Sequence, residues 1–188
     1  GVFSGAVAAG GQVKAVVAPG AAAYSRKQLD DLAEVAKRGG AKGLVSIAYR
    51  EEGPRASAKA LTEGELAAIA QAAHAGSGDL VLVVADASAG VVAKSLGELR
   101  LLLGRQLGLV QADVHALCWV VEFPLLEWSA DEQRWTAMHH PFTSAMDDDW
   151  DLLERDPGRV RAKAYDLVMD GWEVGGGSIR IHRRERQS

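Results

Sequence analysis

The run Tyr-Asp-Leu-Val-Met-Asp-Gly-Trp-Glu-Val-Gly-Gly-Gly-Ser-Ile-Arg, from Tyr165 to Arg180, constrains the fold of this chain more than any other. Apolar side chains alternate through Tyr165, Leu167 and Met169, which is the period of a strand with one face buried. Asp170-Gly171 then supplies a two-residue turn of the kind that needs positive φ, and a second strand follows, so the run predicts a β-hairpin. With period two, Asp166 and Val168 share one side of the first strand and Glu173 follows the turn, so both carboxylates are expected to converge across the pair. Two acids so placed suit a magnesium ion, which prefers oxygen ligands. Gly175, Gly176 and Gly177 put no side chain in the way, so a flat ligand such as a nucleotide base or an amino acid is expected to lie against bare backbone. Arg180 presents a fork that fits a carboxylate. In an ordinary hairpin such acids sit on a solvated face, and Arg180 would then pair with one of them.

The chain is 188 residues long and 48% apolar, enough for one large or two small globular domains, which excludes a disordered or fibrous class. Its formal net charge of −4 argues against nucleic-acid binding by bulk electrostatics, so any contact with RNA must be local. The single cysteine, Cys118, falls in the apolar run Ala116 to Val121 and is expected to be a small buried core residue. One cysteine excludes a disulfide framework. The longest apolar runs, such as Leu80 to Ala85, are strand-sized, and no basic segment leads into a hydrophobic stretch at the N-terminus. No membrane association is expected, and the cytoplasm is the default location.

The first hundred residues alternate strand and helix signals. Gln12 to Ala18 reads as a strand ending at Pro19-Gly20, and Ser25 caps a helix carrying Leu29, Leu32, Val35 and Ala36 that stops at Gly39-Gly40. Gly43 to Tyr49 is the next strand, before a loop containing Pro54. Thr62 with Glu65 three residues on forms a capping box, opening a helix with Leu66, Ile69, Ala70 and Ala73. Leu80 to Ala85 is strongly β-prone, and a further helix starts near Ala89 with Val92, Leu96, Leu99, Leu102 and Leu103 at helical spacing. This half contains no nucleophile, acid pair or metal spacing, and Arg26, Lys27, Lys37, Arg38 and Lys42 are scattered as on a solvated helix face.

In the second half, His139 and His140 precede Pro141 and therefore lie in extended or loop backbone, which excludes a helical zinc pair. One ring is expected to line the site while the other packs or hydrogen-bonds behind it. A structural and a functional role are balanced on the residues alone.

Three stretches together carry a resemblance: Trp119-Val-Val-Glu-Phe-Pro124, Met138-His-His-Pro-Phe-Thr-Ser144, and Tyr165 to His182. In order and spacing they resemble the class II catalytic core of bacterial-type aspartyl-tRNA synthetases. Ser25-Arg-Lys-Gln28 and Gly40-Ala-Lys-Gly-Leu44 resemble the domain inserted in that core, which is shared with the B subunit of the glutamyl/aspartyl-tRNA amidotransferase. The resemblance implies an α+β fold: an inserted α+β domain over residues 1–100, followed over 101–188 by the C-terminal part of a class II antiparallel β-sheet catalytic domain. It implies that L-aspartate is activated with ATP to aspartyl-adenylate and passed to the 3′ end of tRNA(Asp), with tRNA(Asn) as a second acceptor in some members. It assigns His139 and Arg180 to aspartate, Glu173 to ATP, Asp166 and Glu173 to Mg2+, and His140, Gly175, Gly176 and Gly177 to support of the site. It also implies a homodimer.

The family's middle motif, with the arginine that clamps the α-phosphate, and its final Gly-Leu-Asp-Arg motif are not among these residues, so the chain alone is expected not to activate aspartate. Trp119, Trp128, Trp135, Trp150 and Trp172 all fall in the second half, and exposure of some of them in an incomplete sheet would cause self-association. The competing reading is a noncatalytic module that binds tRNA or protein and keeps the fold without the chemistry. The intact set His139, Asp166, Glu173 and Arg180 weighs against it. An asparaginyl or lysyl relative is disfavoured because neither needs Arg180 to read an acidic side chain. The tail Arg183-Arg184-Glu185-Arg186 is expected to be solvated surface.

Overall fold

The computed structural model describes residues 3–186 and divides into two units, Gly1–Gln111 and Ala112–Ser188. The first contains α1 (Ser4–Ala8), β1 (Gln12–Ala18), α2 (Arg26–Arg38), β2 (Val45–Arg50), β3 (Gly53–Ala56), α3 (Glu63–Ala73), β4 (Leu80–Asp86) and α4 (Ala89–Gln106). Its four strands form an antiparallel sheet in the order β1-β4-β2-β3. The uninterrupted apolar run of β4 follows from its central place, because both faces of the strand are covered. Leu80, Leu82 and Val84 meet Leu32, Val35, Ala36, Val92, Leu99 and Leu103 from α2 and α4. Val81 and Val83 meet Ile47, Tyr49 and Leu66 on the other side, where α3 packs.

Both predicted helix starts are closed by reciprocal caps. Ser25 Oγ accepts from the Gln28 backbone while the Gln28 side chain accepts from Ser25 N–H, and Thr62 and Glu65 do the same. The end of α2 lies so close to α4 that a Cβ on Gly39 would stand 2.6 Å from Ser95 Cα. The wholly buried Ser95 hydroxyl donates to Ala36 O at 3.0 Å in the same crossing. No described helix is long and apolar enough to cross a membrane.

The second unit contains β5 (Leu117–Val121), β6 (Leu126–Ser129), β7 (Arg134–Ala137), α5 (Leu152–Arg155), β8 (Ala164–Met169) and β9 (Trp172–Ser178), with short 3-10 turns at Asp147–Asp149, Pro157–Arg159 and Arg184–Arg186. β5-β8-β9 form an antiparallel three-stranded sheet, and β6-β7 a separate hairpin in which Trp128 and Trp135 meet edge to face. The predicted hairpin is β8-β9, and Asp170 and Gly171 turn it with φ of 53° and 87°.

Burial in this unit is confined to a small strip. Val160, Ala145, Ala162 and Ala164 are buried together with Thr143, Ser144 and Asp149. Asp149 takes two hydrogen bonds from the Arg161 guanidinium, at 2.8 and 3.0 Å, and a third from the Arg161 backbone. The guanidinium also reaches Glu122 at 3.1 Å. These donors hold the Asp149 carboxyl at about 2, well below the ordinary aspartate value. Every residue of β5 is exposed, which corrects the expectation for Cys118: its thiol is exposed, because the strand is apolar without being covered. Trp119 and Trp172 are 62% and 78% exposed.

Candidate functional site

The cross-strand rows of the three-stranded sheet sort its side chains onto two faces. Cys118, Val168 and Glu173 form one row, and Val120, Asp166 and Gly176 the next, all on one face. Leu117-Met169-Trp172, Trp119-Leu167-Gly175 and Val121-Tyr165-Gly177 are the rows of the other face. On that second face the Tyr165 ring stands edge-on to Trp119 and covers Gly177.

The two acids share a face because the two-residue turn sets Met169 against Trp172 and Val168 against Glu173, and Asp166 lies two residues from Val168. Asp166 pairs with Gly176, but Val168 pairs with Glu173, and the register shifts between Leu167 and Val168. In a ladder unbroken from the turn Leu167 would oppose Val174 and Asp166 would oppose Gly175. The extra residue in β9, Val174, thus sets Gly176 in place of Gly175 opposite Asp166. The two then converge over Gly176. A Cβ at that position would collide with Asp166 Oδ1 and lie 3.1 Å from Glu173 Oε1. Any side chain there would push the Asp166 carboxylate out of this position. Of the three glycines expected to leave bare backbone, Gly175 alone has open space in front of it, since Gly177 lies under the Tyr165 ring.

Arg180 lies beyond Ser178 on the same side by alternation, and an isolated β-bridge pairs it with Thr143. Its Nη1 donates to Thr143 Oγ1 at 3.4 Å. Among the described residues it forms no ion pair with Asp166, Glu173 or any other acid. The pairing expected of an ordinary surface hairpin is therefore not made. The acids of this unit that pair with a described Lys or Arg are others: Asp149 and Glu122 with Arg161, Asp147 with Lys163, Glu132 with Arg134 and Asp156 with Arg159.

The two rings of the histidine loop have different partners. His139 packs edge-on to Phe123, with ring centroids 4.9 Å apart. His140 Nδ1 accepts from the Phe142 backbone N–H at 3.2 Å, and its carbonyl accepts from Thr143 N–H. The loop then joins the Arg180 segment directly, for Ile181 N–H donates to Phe142 O and Ser144 N–H to Ile179 O. Both rings are exposed, and neither is hydrogen-bonded to Asp166, Glu173 or Arg180. Among the described residues no cluster of three or more His, Cys, Asp and Glu side chains has metal-binding geometry, so a divalent ion here would rest on the two carboxylates. That suits Mg2+, which takes one or two protein carboxylates and fills its remaining positions with phosphate oxygens and water.

Sequence reasoning did not single out Thr143, although it stood inside the quoted Met138–Ser144 stretch, nor the bulge, nor the ion pair of Asp149 with Arg161. The basic tail is also more engaged than expected of solvated surface. Arg183 and Arg186 line a cavity of about 310 Å³ with Asp147, Trp150 and Lys163, and the Arg186 guanidinium lies 4.7 Å above the Trp150 ring.

A family model described as the GAD domain matches residues 3–96. The aspartate–tRNA(Asp/Asn) ligase of Moorella thermoacetica is 53% identical over 187 residues, covering 99% of this chain and 31% of that protein. The aspartate–tRNA ligase of Agathobacter rectalis is 49% identical over 189 residues, covering all of this chain and 31% of its own length. The aspartate–tRNA(Asp/Asn) ligase of Geotalea uraniireducens is 51% identical over 188 residues, with 32% of its length covered. The chain thus spans about a third of the length of the curated relatives it matches. With the GAD domain across its first half, the chain belongs to the GAD-domain family, and along its whole length it is similar to about a third of the length of bacterial aspartate–tRNA ligases.

Proposed function

We propose that this chain is the part of an aspartate–tRNA ligase that holds aspartate and the ATP-bound magnesium. The observation that carries the reading is the charge arrangement on one sheet face: among the described residues, an arginine with no carboxylate partner, on the same face as two carboxylates with no cation partner. A surface hairpin would neutralise these groups against one another. A site that receives a dicarboxylic amino acid and a metal-bound polyphosphate needs them free.

Arg180 offers a planar fork to the side-chain carboxylate of aspartate through two parallel hydrogen bonds. An asparagine side chain presents one acceptor and brings donors toward a donor, so the same fork selects against it. Asp166 and Glu173 would hold Mg2+, which when bound draws charge from the triphosphate and makes the α-phosphorus easier to attack. Glu173 also contacts ATP. His139, exposed beside Phe123, is the histidine directed toward aspartate, and His140 holds the loop through Phe142 N–H. The α-carboxylate of aspartate attacks the α-phosphate, pyrophosphate leaves, and the aspartyl group passes to the 3′ end of tRNA. No protein nucleophile takes part, so these residues act by positioning and by placing charge.

The acceptor is tRNA(Asp), with tRNA(Asn) as a second acceptor, as the names of two of the relatives indicate for those proteins. The working assembly is a homodimer in the cytoplasm. The test is aspartate-dependent ATP–pyrophosphate exchange by the full-length natural product, with asparagine as competitor. Exchange that Arg180→Ala abolishes supports the reading. Exchange with no amino acid at all would leave the noncatalytic module.

A further inference from the structure

We infer that Thr143 is a positioning residue for Arg180, setting the direction in which the guanidinium meets its carboxylate; this rests on Arg180 being the aspartate anchor. Three observations converge on it. Thr143 and Arg180 form a bridge flanked by Ser144 N–H to Ile179 O at 2.8 Å and Ile181 N–H to Phe142 O at 2.9 Å. That pattern makes Thr143 and Arg180 a non-hydrogen-bonded pair, the position in an antiparallel ladder where facing side chains approach most closely. Thr143 is 2% exposed, so its hydroxyl has no water to turn to and must be satisfied by protein groups. Its Oγ1 lies 3.2 Å from Ser178 Oγ and 3.4 Å from Arg180 Nη1.

Arginine only donates, so Thr143 Oγ1 is the acceptor for Nη1. The hydroxyl stands between Ser178 and Arg180 at one edge of the guanidinium. A fork used for bidentate recognition must be fixed in plane, and a flexible side chain that samples several planes loses affinity for a planar carboxylate. Thr143 also ends the His139–His140 loop through Thr143 N–H to His140 O at 2.9 Å, so a single buried side chain ties the histidine loop and the arginine strand to the same point.

The experiment uses the full-length protein and steady-state pyrophosphate exchange, with KM for aspartate, KM for ATP and kcat measured separately. Thr143→Val keeps the shape and removes the acceptor. It is expected to raise KM for aspartate about tenfold with kcat and KM for ATP within about twofold, and Thr143→Ser is expected to restore the parent value. Ser178→Ala, which removes the second hydroxyl without touching Thr143, should raise KM for aspartate by about two- to threefold and keeps the inference testable if the valine variant does not fold. Equal losses in the valine and serine variants, or a matching rise in KM for ATP, would reduce Thr143 to a packing residue and overturn the inference. Arg180→Lys separates the two levels. If it leaves KM for aspartate unchanged, the anchor reading fails and this inference with it. If it raises KM while Thr143→Val does not, Thr143 alone is excluded.

Discussion

Strands β4 and β5 are both short apolar runs, yet they do opposite work. In β4, Leu80 to Val84 are buried on both faces between α2 and α4 on one side and α3 on the other. In β5, Leu117 to Val121 are exposed throughout. The first unit is thus held by two hydrophobic clusters, whereas the second has a thin strip of alanine and valine with charged ties beside it: Asp149–Arg161, Asp147–Lys163 and His115–Asp170. The difference teaches where stability and chemistry reside. The unit with a closed core has no candidate site, and the one with the site spends its charged groups on holding the sheet and on an open, unneutralised face.

The largest effect should separate the two cores. Leu82 is wholly buried, and Leu82→Ala is expected to cost about 2–5 kcal/mol, whereas Val120→Ala on β5 should stay within about 0.5 kcal/mol. All five tryptophans lie in the second unit, so their fluorescence reports that unit while far-UV circular dichroism, dominated by α2, α3 and α4, reports the first. Urea titration followed by both signals checks the contrast. A Val120 variant as damaging as Leu82→Ala would break it. The same contrast predicts that residues 112–188 prepared alone associate and bind a hydrophobic dye, while residues 1–111 remain monomeric.

A second effect sharpens the site face. Gly176→Ala would drive a methyl into Asp166 Oδ1, whereas Gly175→Ala meets nothing within 4 Å. Exchange activity of the full-length protein should fall about tenfold or more in the first, with a higher Mg2+ requirement, and change by less than about twofold in the second. Equal behaviour of the two variants would mean that the acids do not act together.

Acid should then distinguish the units. Asp149 has its carboxyl held at about 2 by Arg161, below its unfolded value of about 3.9. A depressed carboxylate contributes stability that is present above the unfolded value and is lost as pH falls through the folded one. The tryptophan-monitored transition is therefore expected to weaken between about pH 4 and pH 2, and Asp149→Asn, already destabilised at neutral pH, should lose little more over that interval. A parallel acid response of the mutant would assign the loss to other carboxylates.

How much of this was legible depended on whether the determinant was local. The turn at Asp170-Gly171, the strand at Leu80 and the two caps are decided by neighbours in sequence, and each was readable. The glycine that faces Asp166 was not, because a bulge at Val174 sets Gly176 there in place of Gly175 and no residue in the run announces the bulge. Cys118 was misplaced since an apolar run reports affinity for cover and not its presence. Asp149 is one of three consecutive acids, Asp147-Asp148-Asp149, and only the fold supplies Arg161 from 12 residues on. Thr143 had no distinguishing mark, its role arising from a bridge across 37 residues.

The smallest effect concerns helix starts, and it tests whether the same contrast reaches local structure. Ser25→Ala and Thr62→Ala each remove the acceptor of a reciprocal cap, leaving a first-turn N–H without its protein partner, and each should cost about 1 kcal/mol. Asp151 precedes α5 in the second unit but makes no side-chain capping bond, so Asp151→Ala should fall within about 0.5 kcal/mol. The measurement is the urea midpoint at constant slope, read by circular dichroism for the first two and by tryptophan fluorescence for the third. If Asp151→Ala matched the other two, the second unit would draw on local helix order as the first does, and its charged ties would no longer be the feature that sets it apart.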